Sequence, residues 1–276
     1  MGWHASLRLD LASEAGRSVA RFAHEGPLRI LQTLYPEGDA ICHNVLVHPP
    51  GGLVNGDVVD VRIRVAAGAH GLLTTPGAGR FYRSEGPAAV QHTRIELAEG
   101  ARFEWLPLET IFHSGCHAEN RVDLRLAPHA ELVGWDVCAL GLPASGQPFE
   151  RGQVLQHLAL EDVWLERGCL RADDRRLMDG PLGLAGHRCL GTLYFATGSE
   201  LGRERRELAL EAARSVIAGH PLARTAGATS PCGRVVAVRV LAPLVEPAMA
   251  LLRAIRSAWR TQLWQLPATQ PRLWSL

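Results

Sequence analysis

The 276-residue sequence contains no lysine; all 29 of its basic residues are arginine. A Walker-type phosphate loop needs a lysine on the phosphates. Schiff-base and pyridoxal chemistry need the lysine amine, and the protein-kinase residue set needs one as well. Those enzyme classes are therefore excluded. Cysteine is sparse: six residues, at 42, 116, 138, 169, 189 and 232, never as CxxC. That scatter argues against a disulfide framework or a structural zinc site and for reduced thiols, mostly buried as small apolar groups. No run approaches the roughly eighteen apolar residues of a membrane span. Met1–Asp10 lacks the apolar core of a signal peptide, so a cytoplasmic protein is expected. The net charge of +1 provides no field for nucleic acid or an anionic membrane. There is no GxSxG, no HExxH and no GxGxxG after a strand, and no pattern pairs two carboxylates as acid and base.

What is present reads first as strands. A hydrophobic content of 47% is enough for a sizeable core. Val59–Val65 alternates apolar and charged residues without a break, the period of a half-buried strand. Thr93–Leu97 and Arg121–Leu126 do the same. Short turns follow at Ala67-Gly68-Ala69, Glu99-Gly100-Ala101 and Pro128-His129-Ala130, each leading into a more apolar run: Leu72–Thr75, Phe103–Leu106 and Leu132–Trp135. A strand–turn–strand unit recurring every thirty or so residues predicts stacked, solenoid-like sheets; a sandwich of evenly spaced hairpins is the alternative.

The tail changes character. Glu204–Ala218 reads as a helix stopped by Gly219-His220-Pro221, Val235–Leu241 as a strand, and a second helix starts near Pro247, with Leu252, Ile255, Trp259 and Leu263 at helical spacing. Proline suits a first helical turn, where a missing N–H costs little. The expected class is mainly β: an elongated β-solenoid of stacked sheets with two helices in the C-terminal third. One domain is expected over 1–276, with a β-rich body to about 198 and a helix–strand–helix tail from about 199.

Several segments carry candidate chemistry. His113-Ser114-Gly115-Cys116-His117 sets three ligand groups close enough for a soft divalent ion such as Ni²⁺ or Zn²⁺. The same segment also reads as a loop with one buried cysteine and two solvated histidines. Cys42-His43 with His48 is a weaker version. Gly51–Asp57 is glycine-rich but follows His48-Pro49-Pro50 rather than a strand, which suits a tight bend. Asp57 there is a turn residue or an inward carboxylate. In Thr74–Ser84, the hydroxyls of Thr74, Thr75 and Ser84 suit either the lining of a wet passage or bonds to nearby backbone.

Taken in order, these segments resemble the UreD family, called UreH in some bacteria. The resemblance rests on Leu34-Tyr35-Pro36-Glu37, His48–Val54 through Gly56-Asp57, Leu72–Ala78 with Phe81–Ser84, Glu104–Pro107 with Glu109-Thr110, Gly134-Trp135-Asp136 and Pro143–Gly146. It covers roughly residues 1–170, beyond which only the layout matches. The chain departs from the family pattern at Ile30–Thr33 and Leu108. Leu142 and Gln147 depart as well, and both remove charge from one loop.

The resemblance implies a non-enzymatic assembly factor that contacts apo-urease on one side and UreF on the other, with UreG joining through UreF. It implies transient Ni²⁺ rather than a tightly held cofactor, and a water-filled passage for the ion. Carried onto this sequence, Asp57, Ser84, Asp136 and Glu166 become the passage candidates, with Thr74 and Thr75 beside them. Oxygen ligands suit transit because they replace hydration and release the ion again. The apolar stripe bearing Trp259 and Trp264 is a candidate UreF contact; packing on the chain's own sheet is the alternative. A stand-alone nickel-binding or storage protein using His113, Cys116 and His117 is the competing function.

Overall fold

The computed structural model describes residues 2–275. In chain order the elements are β1 (His4–Glu14), β2 (Arg17–Glu25), β3 (Arg29–Leu34), β4 (Ile41–Val47), β5 (Val58–Val65), β6 (His70–Thr74), β7 (Gly79–Phe81), β8 (Ala89–Leu97), β9 (Arg102–Leu106), β10 (Thr110–Phe112), β11 (Cys116–Leu126), β12 (Glu131–Leu142), β13 (Gln147–Pro148), β14 (Gly152–Leu160), β15 (Trp164–Arg171), α1 (Arg175–Asp179), β16 (Cys189–Thr197), α2 (Arg203–Ala218), β17 (Ala226–Cys232), β18 (Val235–Ala242) and α3 (Val245–Leu263).

Parallel ladders stack the body into a β-solenoid of about four turns. One sheet runs β15-β14-β11-β8-β5-β1-β2; the other runs β17-β18-β16-β12-β9-β6-β4-β3. The sequence period becomes the coil: Val58 lies opposite Val90, Ala89 opposite Ala118, and His70 opposite Arg102, which lies opposite Glu131. Short parallel pairs from β7 to β10 and from β10 to the far half of β12 form a third side.

The turns between the two sheets explain the repeat. Ala69, Ala101 and Ala130 each donate their N–H to the carbonyl three residues back, at Ala66, Ala98 and Ala127. The third position of each turn has positive φ: Gly68 at 69°, Gly100 at 66° and His129 at 59°. That conformation favours glycine and is tolerated by few other residues. Successive turns also bond to one another, with Arg102 donating to Ala69 and Glu131 to Ala101.

Two apolar layers result. Inward residues of both sheets, among them Leu9, Ile63, Ile95, Phe103 and Leu124, fill the solenoid. The other face of the larger sheet, with Val133, Trp135, Leu193, Val236 and Val238, is covered by α2 and α3. Ala209, Ala212 and Ala213 are buried on α2, small enough to let the helices approach closely. Among the described residues no helix is long and apolar enough to cross a membrane.

Candidate functional site

The strand parity of the solenoid is apolar inward, and it is broken at a few positions that line up. On β8, β11 and β14 the inward parity runs through Ala89, Thr93 and Ile95, through Ala118, Val122 and Leu124, and through Val154, Leu158 and Leu160. Gln91, Asn120 and Gln156 sit on that same parity and face one another in register across the three strands. The opposing sheet answers with Asp136 on β12, Thr192 on β16 and Arg239 on β18, again in register. Two polar rows therefore meet inside an otherwise apolar core.

Contacts join the rows. Asn120 Nδ2 donates to Asp136 Oδ2 at 3.1 Å, and Gln156 Nε2 donates to Cys138 Sγ. Cys138 Sγ lies 3.9 Å from Asp136 Oδ1. At the outer end Glu166 of β15 pairs with Arg239. A cavity of about 430 Å³ lies here, lined among others by Asp136, Cys138, Gln156, Glu166, Thr192 and Arg239. Asp136 is surrounded by protein but lines this cavity, so the residue is only half-buried.

The electrostatics follow from that enclosure. Burial pushes the Asp136 carboxyl up to about 6, with the Asn120 hydrogen bond offsetting part of the effect. Burial and the Asp136 charge also push the Cys138 thiol and the Tyr194 hydroxyl up. Several buried atoms along the seam have no protein partner among the described residues: Thr93 Oγ1, Asn120 Oδ1, Gln156 Oε1 and Tyr194 Oη. Each costs on the order of 1–3 kcal/mol if unsatisfied, so a cluster of them calls for water or a cation. Tyr194 reaches this place because its partner across the ladder is Gly134: a Cβ there would meet the Tyr194 hydroxyl at 2.5 Å.

The other candidates divide by location. Thr75 lines a second cavity of about 230 Å³, together with His48, Gln91 and Thr110. Its hydroxyl also donates to Gly77 O and accepts from the Leu108 N–H. Gln91 thus opens onto one cavity, Gln156 lines the other, and Asn120 lies between them. Thr74 instead faces the helix side of its sheet, donating to Leu106 O at 2.6 Å and accepting from Trp274 Nε1 at 3.1 Å. Asp57 is buried and accepts the N–H groups of Trp3 and Val54 at 3.0 and 2.9 Å, the turn reading of that residue. Ser84 donates to Asn55 Oδ1 at 2.9 Å, tying the loop before β8 to the one before β5.

The metal-like segment does not converge. Cys116 begins β11 facing inward, buried and donating to Gln153 O, while His117 next to it points to the other face. His113 stacks on Tyr82 at 4.8 Å. Burial moves the Cys116 thiol up to about 12, unsuited to thiolate ligation. Among the described residues no group of three or more His, Cys, Asp or Glu side chains is arranged to hold a metal ion. Proximity in sequence was the misleading signal, because alternation separates neighbours on a strand.

Trp259 and Trp264 are buried too. Trp259 Nε1 donates to Ala209 O at 2.9 Å and its ring packs on Phe195; Trp264 Nε1 donates to Glu131 Oε2 at 2.6 Å. The stripe lies against the chain's own sheet. Below it sits an ionic cluster that the sequence reading did not single out. Glu104 of β9 is fully buried, with Arg256 Nε at 2.6 Å and Arg260 on its other oxygen. Arg260 also pairs with Glu37, which holds His43 Nε2 at 2.8 Å. This cluster fastens α3 to the solenoid.

Comparison with known proteins finds relatives over the whole chain. The family described as "UreD urease accessory protein" matches residues 4–275. A Urease accessory protein UreD of Variovorax paradoxus is 62% identical over 275 residues, covering 100% of both chains. That of Paracidovorax citrulli is 62% identical over 276 residues, again 100% of both. A more distant relative from Methylibium petroleiphilum is 47% identical over 99% of each chain. Matched end to end at these identities, the chain belongs to the UreD family of urease accessory proteins.

Proposed function

We propose that the chain is a non-catalytic scaffold for urease maturation in the cytoplasm, bridging apo-urease to UreF and, through UreF, to UreG, and that Ni²⁺ crosses it along the polar seam. The observation that carries the passage is the seam itself: Gln91, Asn120, Asp136 and Gln156 aligned inside an apolar solenoid between two cavities. A core that served stability alone would fill those positions with apolar groups, since buried polar atoms without partners are costly. An uncompensated carboxylate among amide and hydroxyl oxygens offers a hard-ligand path, binding the cation weakly enough to release it. On this reading Asp136 and Glu166 would serve at the cavity they line, and Thr75 with Gln91 at the other.

The test is co-purification of the tagged chain with co-expressed UreF, UreG and apo-urease, followed by metal analysis of the urease. The expected result is recovery of the assembly with both wild type and Asp136→Ala, and a several-fold lower nickel content with the variant. Normal nickel content in an intact Asp136→Ala assembly would remove the passage; failure to recover partners with a folded chain would remove the scaffold.

A further inference from the structure

The outer cavity has a mouth where the two sheets meet. Glu166 sits on β15, the edge strand of the smaller sheet, and Arg239 sits on β18 of the larger one. Their ion pair spans the gap between the sheets, and both line the cavity that holds Asp136. The side chains are 27% and 43% exposed, so they stand between solvent and the enclosed carboxylate. Arg239 also lies in the register row of Asp136, two strands along, roughly 10 Å away at the usual strand spacing. A guanidinium at that range, at the solvent-facing mouth, repels an entering divalent cation and competes for its first carboxylate.

We infer that Arg239 is a charge gate on the Asp136 cavity: by occupying Glu166 it sets how readily a cation enters or leaves. This rests on the passage reading above. Paired, the two charges cancel and the mouth is closed across the sheets. A cation passes by replacing Arg239 on Glu166, the guanidinium turning toward solvent, where it is already partly exposed. Burial lowers the proton affinity of Arg239, in keeping with a cation held partly out of water, but an arginine remains charged throughout. Arg239 is thus a selectivity residue that acts without ligating the ion.

Cys138 provides the readout, because its thiol lies inside the cavity beside Asp136. The full-length chain, carrying Cys169→Ser and Cys232→Ser to silence the more accessible thiols, is treated with a neutral reagent, methyl methanethiosulfonate, or a permanently cationic one bearing a trimethylammonium group. Labelling of Cys138 is followed by site-resolved mass spectrometry. Arg239→Gln is expected to raise the cationic rate about tenfold relative to the neutral rate, the size expected for removing one nearby charge. Arg239→Lys should keep the wild-type ratio, and Glu166→Gln should lower it. Equal acceleration of both reagents by Arg239→Gln would mean a mere structural clasp and would overturn the gate. Because burial and the Asp136 charge hold the Cys138 thiol protonated, the reactions are run at alkaline pH and read as the ratio of the two reagents, and an unchanged ratio in Arg239→Gln would likewise overturn the gate. The assay does not involve urease: a charge-selective gate with unchanged urease nickel content would retain this inference and remove the passage.

Discussion

Glu104 and Asp136 stand on neighbouring strands of one sheet, β9 and β12, on its opposite faces. Both carboxyl groups are enclosed by protein, and burial is the largest influence on each. Their proton affinities nevertheless move in opposite directions. Around Glu104, burial is outweighed by Arg256 and Arg260, which hold the group below the usual carboxylate range. Around Asp136 no cation opposes burial, and the group rises to about 6. The helix side of the sheet completes its ion pairs within the chain. The solenoid side leaves its carboxylate with an amide hydrogen bond from Asn120 and no ion pair. The same residue chemistry thus marks an anchor on one face and a candidate transit station on the other.

The sharpest way to break this comparison is at the anchor. Glu104→Ala leaves two fully buried guanidiniums short of their shared partner, Glu37 remaining for one of them. Removing one member of a buried ion cluster costs about 3–5 kcal/mol. Denaturant unfolding should show a loss of that size, with the C-terminal helix becoming the first segment to exchange its amide protons. A loss below about 1 kcal/mol would mean that α3 is held by its apolar contacts alone.

The second test uses pH. For Asp136 the folded value of about 6 lies above the ordinary 3.8, so the folded state takes up the proton first, and stability falls as pH rises from about 4 to about 6. Buried His70 behaves oppositely. Burial lowers it from 6.5 to about 4, with Glu104 opposing, so the unfolded state takes up the proton first, and stability rises over about 4 to 6.5. Each amounts to about 3 kcal/mol by linkage, so these two offset one another, while His48, His92 and His113, also lowered by burial, add to the rise. Asp136→Asn should therefore be more stable than wild type at pH 7 and should steepen the rise from pH 4 to 6.5. His70→Gln should flatten that rise. Parallel curves for wild type and Asp136→Asn would mean that Asp136 is hydrated as in free solution.

How much of this was legible in the sequence differs between the two faces for a physical reason. Alternation in Val59–Val65, Thr93–Leu97 and Arg121–Leu126 gave three strands of the smaller sheet, and the Ala-bounded turns gave the coil period. Helical spacing around Leu252, Ile255 and Trp259 gave α3, observed at Val245–Leu263. β17, Ala226–Cys232, has no apolar alternation to betray it. β1 does alternate, through Ala5, Leu7, Leu9 and Leu11, and was overlooked. Asp136 and Glu166 came from resemblance, and the structure brings both to one cavity. Asn120 and Gln156 were missed, although each is a polar residue on the apolar parity of its strand, a signal readable without homologues. What pattern cannot supply is register: that Gln91, Asn120 and Gln156 align depends on coil lengths and turn geometry. The Glu104 cluster depends on contacts across more than a hundred residues, which no local pattern encodes.

The smallest expected effect is the one at the segment that looked most like a metal site. If a cation is held anywhere, the comparison above assigns it to uncompensated oxygen atoms and not to His113, Cys116 and His117. Cys116 and His117 occupy successive positions of β11, so their side chains leave opposite faces. His113, stacked on Tyr82 outside the strand, would have to abandon that contact to join either. Cys116→Ser with His113→Ala and His117→Ala should therefore leave nickel stoichiometry in a calorimetric titration unchanged and affinity within about twofold, a difference of roughly 0.4 kcal/mol. Loss of one equivalent of tightly bound nickel would show that the loop rearranges around the ion, and would return the stand-alone metal-binding reading to first place. An unchanged titration alongside altered binding in Asp136→Asn would place the cation's interaction inside the solenoid, where one half-buried carboxylate lacks an ion-pair partner.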